Sequence, residues 1–117
     1  MDKLPEGRKD DSSKLRYDLI PVYPLKELAL TYTIGARKYA DNNWRQGLKF
    51  SRVIAALKRH LELWLEGEDR DPEGQHHLAA VAWNAFSLLW YSKFRPEFDD
   101  RADVINENKN QDNQATR

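Results

Sequence analysis

The chain has 117 residues and 13.8 kDa, no cysteine, and 19 basic side chains against 19 acidic ones. At this length one domain is expected, with only about two-thirds of the unfolded surface buried, so self-association would help it. The composition excludes disulfides, zinc–thiolate sites and thiol nucleophiles, argues against a bulk grip on a nucleic acid polymer, and offers no run of roughly 20 apolar residues for a membrane.

Residues 1–13 are polar and aperiodic (Gly7-Arg8-Lys9-Asp10-Asp11-Ser12-Ser13) and read as a flexible arm; Met1-Asp2-Lys3-Leu4-Pro5-Glu6 does not read as a signal peptide. Residues 14–96 carry nearly all the apolar and aromatic side chains. A first helix is predicted from Pro24, with Leu25, Leu28, Ala29, Tyr32, Ala36 and Tyr39 at spacings of three and four. Gly35 weakens it by ~1 kcal/mol relative to alanine. Asp41–Gly47 reads as a loop. A second helix is expected to start with Ser51 as N-cap, to carry the stripe Val53, Ile54, Leu57, Leu61, Trp64 and Leu65, and to stop at Gly67.

After the charged linker Glu68-Asp69-Arg70, Asp71 is expected to cap a third helix with Pro72 in its first turn. Leu78, Val81, Ala82, Ala85, Leu88 and Leu89 form one face of it, and Ala79, Trp83, Phe86, Trp90 and Tyr91 cover much of the rest. A helix apolar nearly all round must be buried, so it is expected to pack on the second helix and on a second subunit. Arg95-Pro96 ends it. Residues 97–117 read as a polar, disordered tail with at most a short turn at Ala102–Ile105. No stretch alternates at period two, so the fold class is all-α, a small antiparallel helical bundle.

Three groups of residues carry chemistry. A short linker makes helices two and three antiparallel neighbours, and their junction is crowded with Glu62, Glu66, Glu68, Asp69, Asp71 and Glu73. Converging carboxylates suit a hard cation such as Mg²⁺; the same residues also suit a solvated ion-pair face, a cap and a dipole partner. Glu73, His77 and Asn84 fall on one stripe of the third helix, and His60 lies toward the apolar side of the second. Inward polar groups need partners, and a shared pocket and satisfied core histidines both answer that need. His76 fits no pattern and is expected to be exposed. Lys14, Arg16, Tyr17, Arg37, Lys38, Tyr39, Asn43, Trp44 and Arg59 form a basic and aromatic set suited to phosphate and base contacts; helix-end charges and a packed loop anchor explain several of them equally well. No glycine-rich phosphate loop, nucleophile elbow or HExxH helix is present, which leaves a metal-activated water as the chemistry the inventory permits.

The order of segments Lys14-Leu15-Arg16-Tyr17-Asp18-Leu19-Ile20-Pro21, Gly35-Ala36-Arg37-Lys38-Tyr39, Asn43-Trp44, Arg59-His60-Leu61, Gly67-Glu68-Asp69-Arg70-Asp71-Pro72-Glu73-Gly74, His77-Leu78-Ala79 and Asn84 resembles the dATP/dGTP diphosphohydrolase N-terminal family, common in bacteriophages and related to MazG-like all-α pyrophosphohydrolases. The resemblance implies an oligomeric enzyme, a homodimer or homotetramer. It would use Mg²⁺, with Mn²⁺ as a substitute, to split a purine deoxynucleoside triphosphate into monophosphate and pyrophosphate in the cytoplasm, that of an infected host if phage-encoded. It implies Glu68, Asp71, Glu73 and His77 at the metal end, with His60, Glu73 and His77 catalytic. Lys14, Arg16, Lys38 and Arg59 would face phosphates, and Tyr39, Asn43, Trp44 and Asn84 would shape the nucleotide pocket. The chain departs from the MazG-like ExxE/ExxD pattern: Glu62 and Glu66 are four apart, Glu73 is followed at that spacing by His77, and Glu68-x-x-Asp71 matches only across the junction. A nucleotide-binding protein without turnover is the alternative.

Overall fold

Helix α1 (Val22–Lys38) and helix α2 (Phe50–Leu65) both pack on helix α3 (His77–Phe94) in the computed structural model, which describes residues 4–101. The remaining elements are 3-10 turns at Tyr17–Leu19, Asn43–Gln46 and Pro96–Phe98. The described residues form no strand, only an isolated antiparallel bridge between Arg70 and His76, and the expected all-α class holds. No helix among them is long and apolar enough to cross a membrane. The turn expected at Ala102–Ile105 lies outside the described residues.

The seam of α3 that the other helices cover is His77, Ala80, Asn84, Ser87 and Tyr91, all buried. Their alternating three- and four-residue steps are those of a helix–helix contact line. α2 runs antiparallel along this seam, with His60 beside His77 at one end and Phe50 stacked on Tyr91 at the other, ring centroids 6.3 Å apart. Phe50, Val53 and Tyr91 are the core, with Trp44, Leu48, Ile54, Leu88, Trp90 and Phe98 packed around them. α1 buries only Leu28 and Thr31. Of the stripe predicted for α2, Val53, Ile54 and Leu57 turn inward, whereas Leu61, Trp64 and Leu65 are exposed. Among the described residues, no helix buries that end of the stripe.

All three helix starts differ from expectation: α1 begins at Val22 with Pro21 at its cap, two residues before Pro24. α2 begins one residue before Ser51, which does not cap it. The Ser51 backbone N–H and hydroxyl both donate to the Asp100 carboxylate, the N–H at 2.9 Å. An acid from beyond α3 thus satisfies a free donor of the first turn and meets the positive end of the helix. Those two bonds hold the Asp100 carboxyl below its usual range. The start of the polar tail is therefore tied to α2 through Asp100.

α3 begins at His77, not at Asp71-Pro72. Asp71-Pro72-Glu73-Gly74 is a β-turn. The Gly74 N–H donates to the Asp71 carbonyl at 3.0 Å, the Asp71 carboxylate accepts from the Glu73 N–H and the Gln75 amide, and Gly74 takes φ +95°. Proline after aspartate serves a turn as readily as a helix start, and glycine at the fourth place decides for the turn. His76 is the actual cap: half-buried, its Nδ1 accepts from the Leu78 N–H at 3.0 Å. α2 ends as predicted. Gly67 takes φ +103°, its N–H donates to the Trp64 carbonyl and that of Glu68 to Leu63, the six-to-one and five-to-two pair of a glycine-terminated helix.

Gly47 closes the loop between α1 and α2 at φ +102°, ψ 149°, a region open to glycine alone, and a Cβ there would overlap the Phe98 ring. Gly47→Ala is expected to destabilise the fold by about 2–4 kcal/mol, from backbone strain plus overpacking. A loss below about 1 kcal/mol in urea unfolding would show that Phe98 moves away without cost.

Candidate nucleotide-binding cleft

A cleft of about 890 Å³ opens between the C-terminal half of α1, the loop that follows it, the middle of α2 and the start of α3. α1 presents Tyr32, Gly35 and Lys38. The loop residues Tyr39–Leu48 form one wall, with Arg45 outside the lining. α2 contributes Arg52, Ala56 and His60 at four-residue steps, and α3 contributes Ala80, Trp83 and Asn84.

The loop wall is held from behind. Trp44 packs its indole edge-on against Tyr32, Trp83 and Trp90 at 5.0–6.5 Å, and its carbonyl accepts the Tyr91 hydroxyl. The Arg45 guanidinium lies 5.5 Å from the Trp44 ring and 5.9 Å from that of Trp90. Ala40 sits at φ +143° and Asn42 in the left-handed region at φ +60°. Both line the cleft, and an alanine with that φ is a strained residue held by its surroundings. Trp44 is therefore both the loop's packed anchor and part of the cleft.

Cations and aromatic faces meet at the rim. Lys38 Nζ lies 3.0 Å from Glu73 Oε1 and 5.5 Å from the centre of the exposed Tyr39 ring. Glu73 raises the pKa of Lys38, so its charge is secure. Asn84 is buried; its Nδ2 donates to the Ala80 carbonyl at 2.8 Å, which leaves Oδ1 as the free acceptor.

His60 forms part of the floor. Its Nδ1 is 2.9 Å from Nδ1 of His77. His77 is 1% exposed and stands behind it, and His77 Nε2 is 3.3 Å from Glu68 Oε2. Burial, then the neighbouring His77, push the His60 imidazole pKa below its ordinary value.

Of the residues singled out in the sequence, the cleft gathers Lys38, Tyr39, Asn43, Trp44, His60, Glu73 and Asn84. Lys14, Arg16 and Arg59 do not line it. Arg16 is tied to Asp18 at 2.7 Å on the exposed segment before α1. Lys14 sits in a turn of the same segment, its N–H on the Asp11 carbonyl. Arg59 is one residue, or about 100° of helix, off the stripe of Arg52, Ala56 and His60. Arg52 is the α2 cation of the cleft, and its place two four-residue steps before His60 was the signal for it. Asp41, Gln75 and Trp83 also line the cleft without having been singled out.

The four side chains expected at a metal end are not gathered. Both carboxylate oxygens of Asp71 are used in its turn, Glu73 faces Lys38, and Glu68 and His77 pair with each other. Among the described residues no three His, Asp or Glu side chains come together in a way suited to a metal ion.

The family model described as dATP/dGTP diphosphohydrolase, N-terminal, matches residues 5–101. A dATP/dGTP diphosphohydrolase of Salmonella phage PMBT28 is 40% identical over 96 residues, 81% of this chain and 33% of the relative. The chain thus spans about a third of that relative's length. No solved structure matches it.

Proposed function

The chain belongs to the dATP/dGTP diphosphohydrolase N-terminal family, and from that premise we propose that it hydrolyses a purine deoxynucleoside triphosphate to the monophosphate and pyrophosphate. The observation that carries the reading is the cleft. Its volume is that of a small-molecule site, and it sets Lys38 and Arg52, the exposed Tyr39 ring and a half-buried imidazole around one space. Lys38 and Arg52 take the phosphates. Tyr39, Asn43, Trp44 and Asn84 receive the nucleoside. His60 takes a proton from the attacking water.

Mg²⁺ fits this cleft as a passenger on the substrate. It is commonly held by one or two carboxylates and the substrate's own phosphates, not by an all-protein cage. Glu73 and Asp41, the carboxylates that line the cleft among the described residues, would hold it. The ion would supply charge neutralisation at the phosphates. Glu73, paired here with Lys38, would be available to the ion where Lys38 turned to a phosphate instead.

The test is a product assay with Mg²⁺, then Mn²⁺, on each dNTP and on ATP and GTP, resolved by ion exchange. Monophosphate and pyrophosphate from dGTP or dATP are expected. No product from any nucleotide overturns the hydrolase; nucleotide binding that persists in EDTA would then leave a sequestering protein.

The same reading includes a homodimer or homotetramer. Leu78, Ala85, Phe86 and Leu89 form an exposed stripe on α3 opposite the seam that α1 and α2 cover, with Leu89 74% and Phe86 52% exposed. An exposed apolar stripe of this kind marks an association surface. Leu89→Glu is expected to turn the oligomer into a monomer in sedimentation velocity with helical content unchanged. A parent chain that sediments as a monomer overturns this part.

A further inference from the structure

Behind the cleft floor, Glu68, His77 and His60 stand in a line that ends at the cleft, and we propose that Glu68 and His77 are positioning residues that fix which nitrogen of His60 carries its proton. The proposal rests on the reading of His60 as the base of the hydrolysis and deepens it.

Two neutral imidazoles that meet through Nδ1 at 2.9 Å share one hydrogen. In the first arrangement His60 Nδ1–H donates to His77 Nδ1. His77 then carries its hydrogen on Nε2, and His60 Nε2 keeps a free lone pair. In the second, His77 Nδ1–H donates to His60 Nδ1, His77 Nε2 carries the lone pair, and His60 Nε2 carries the hydrogen. Only the first gives the cleft a base.

Glu68 decides between them. His77 Nε2 is buried and has no aligned hydrogen bond; the carboxylate of Glu68 is beside it, at 3.3 Å. In the second arrangement a buried lone pair would face an anionic oxygen, which is both repulsive and unsatisfied. In the first, Nε2–H points at that oxygen. The contact is long, yet Glu68 is 46% exposed and free to rotate about its side chain, and such bonds tighten when a ligand closes the site. The chain of contacts follows the same logic by which a buried carboxylate orients a catalytic histidine elsewhere. It also explains why a histidine occupies the buried seam of α3, where an apolar residue would pack without needing any partner.

The fold places the three groups for this purpose. His60 and His77 face each other because α2 and α3 run antiparallel on either side of the seam. Glu68 returns over His77 because α2 ends in a left-handed glycine at 67, and the His77 N–H donates to the Asp69 carbonyl at 2.9 Å.

The test reads the tautomer directly, without substrate, on the full chain labelled with ¹⁵N-histidine. Long-range ¹H–¹⁵N spectra near neutral pH are expected to show His60 protonated on Nδ1 and bare on Nε2, and His77 the reverse. Free histidine prefers the opposite form to that expected of His60. In Glu68→Ala, an exposed change that leaves the core alone, His60 is expected to revert to Nε2–H, and kcat to fall at least roughly tenfold and by at most about 10⁴-fold, the loss when the orienting carboxylate of a catalytic histidine is neutralised, with KM held. His60 protonated on Nε2 in the parent chain, or a tautomer unchanged in Glu68→Ala, overturns the proposal. His77→Asn, whose side-chain oxygen also accepts from Nδ1–H, provides a second arm: the His60 tautomer is expected to survive in it, and an Nε2–H form there overturns the donor direction assigned. A parent chain with the expected tautomers but no hydrolysis of any nucleotide would defeat the proposed activity and leave the proton arrangement standing.

Discussion

His60→Ala is expected to lower the rate of the proposed hydrolysis by ~10²–10⁴-fold, the range that a positioned general base supplies. Of the three histidines, His60 is the one that lines the cleft. Nδ1 is taken by His77, so Nε2 remains for a water. Burial and the neighbouring ring lower its pKa, so at neutral pH the ring is uncharged and able to accept a proton. The variant remains folded, because His60 is at the edge of the core; its cost is that of one orphaned partner on His77, about 1–3 kcal/mol. Single-turnover hydrolysis of dGTP or dATP at saturating Mg²⁺ measures the effect apart from product release. A single-turnover rate within tenfold of the parent would remove His60 from the chemistry, and a lost rate with lost helicity would be a folding effect, which circular dichroism separates.

The largest expected loss of stability is at Tyr91. Its ring has no solvent exposure, stacks on Phe50, and lies against Trp44 and Trp90. Tyr91→Ala is expected to cost about 3–5 kcal/mol, the usual result of removing a large core ring. For a domain of this size that is a third or more of a typical total stability. Tyr91→Phe isolates the hydroxyl. Its donation to the Trp44 carbonyl is the bond that ties the cleft loop to α3, and burial raises the phenol pKa, so the hydroxyl remains a donor. The expected cost is about 1–3 kcal/mol, since the half-buried carbonyl loses its partner. Because Trp44 lines the cleft, the same variant is expected to weaken nucleotide binding, measurable as a smaller nucleotide-induced rise in melting temperature than the parent shows. Equal stability losses in the two variants would mean that the ring packing contributes nothing, which the stacked geometry contradicts.

Much of the local structure is legible in residue order. The apolar character of α3 all round, the stop at Gly67 and the end at Arg95-Pro96 each depend on neighbours within about four residues, and they hold in the fold. The polar stripe of α3 was legible for His77 and Asn84, which are two helical turns apart on the seam. Glu73 was not part of it, since the helix had not yet begun. There Asp-Pro opens helices and turns alike; Gly74 at the fourth place favours the turn, and the pairing of Arg70 with His76 closes it.

What the sequence by itself determined is the all-α class, the three helices, the family and most of the residue types the cleft uses, because apolar periodicity and short motifs are local properties of the chain. What only the tertiary structure decided is which residues meet. Asp100 meets Ser51 across 49 positions, Tyr91 meets Trp44 across 47, Arg52 and not Arg59 faces the cleft, and the acids of the junction scatter instead of clustering. Those outcomes turn on the phase of one helix against another and on where a turn sends the chain. A rotation of 100° per residue moves a side chain from the cleft to solvent, and no neighbour in sequence records that phase.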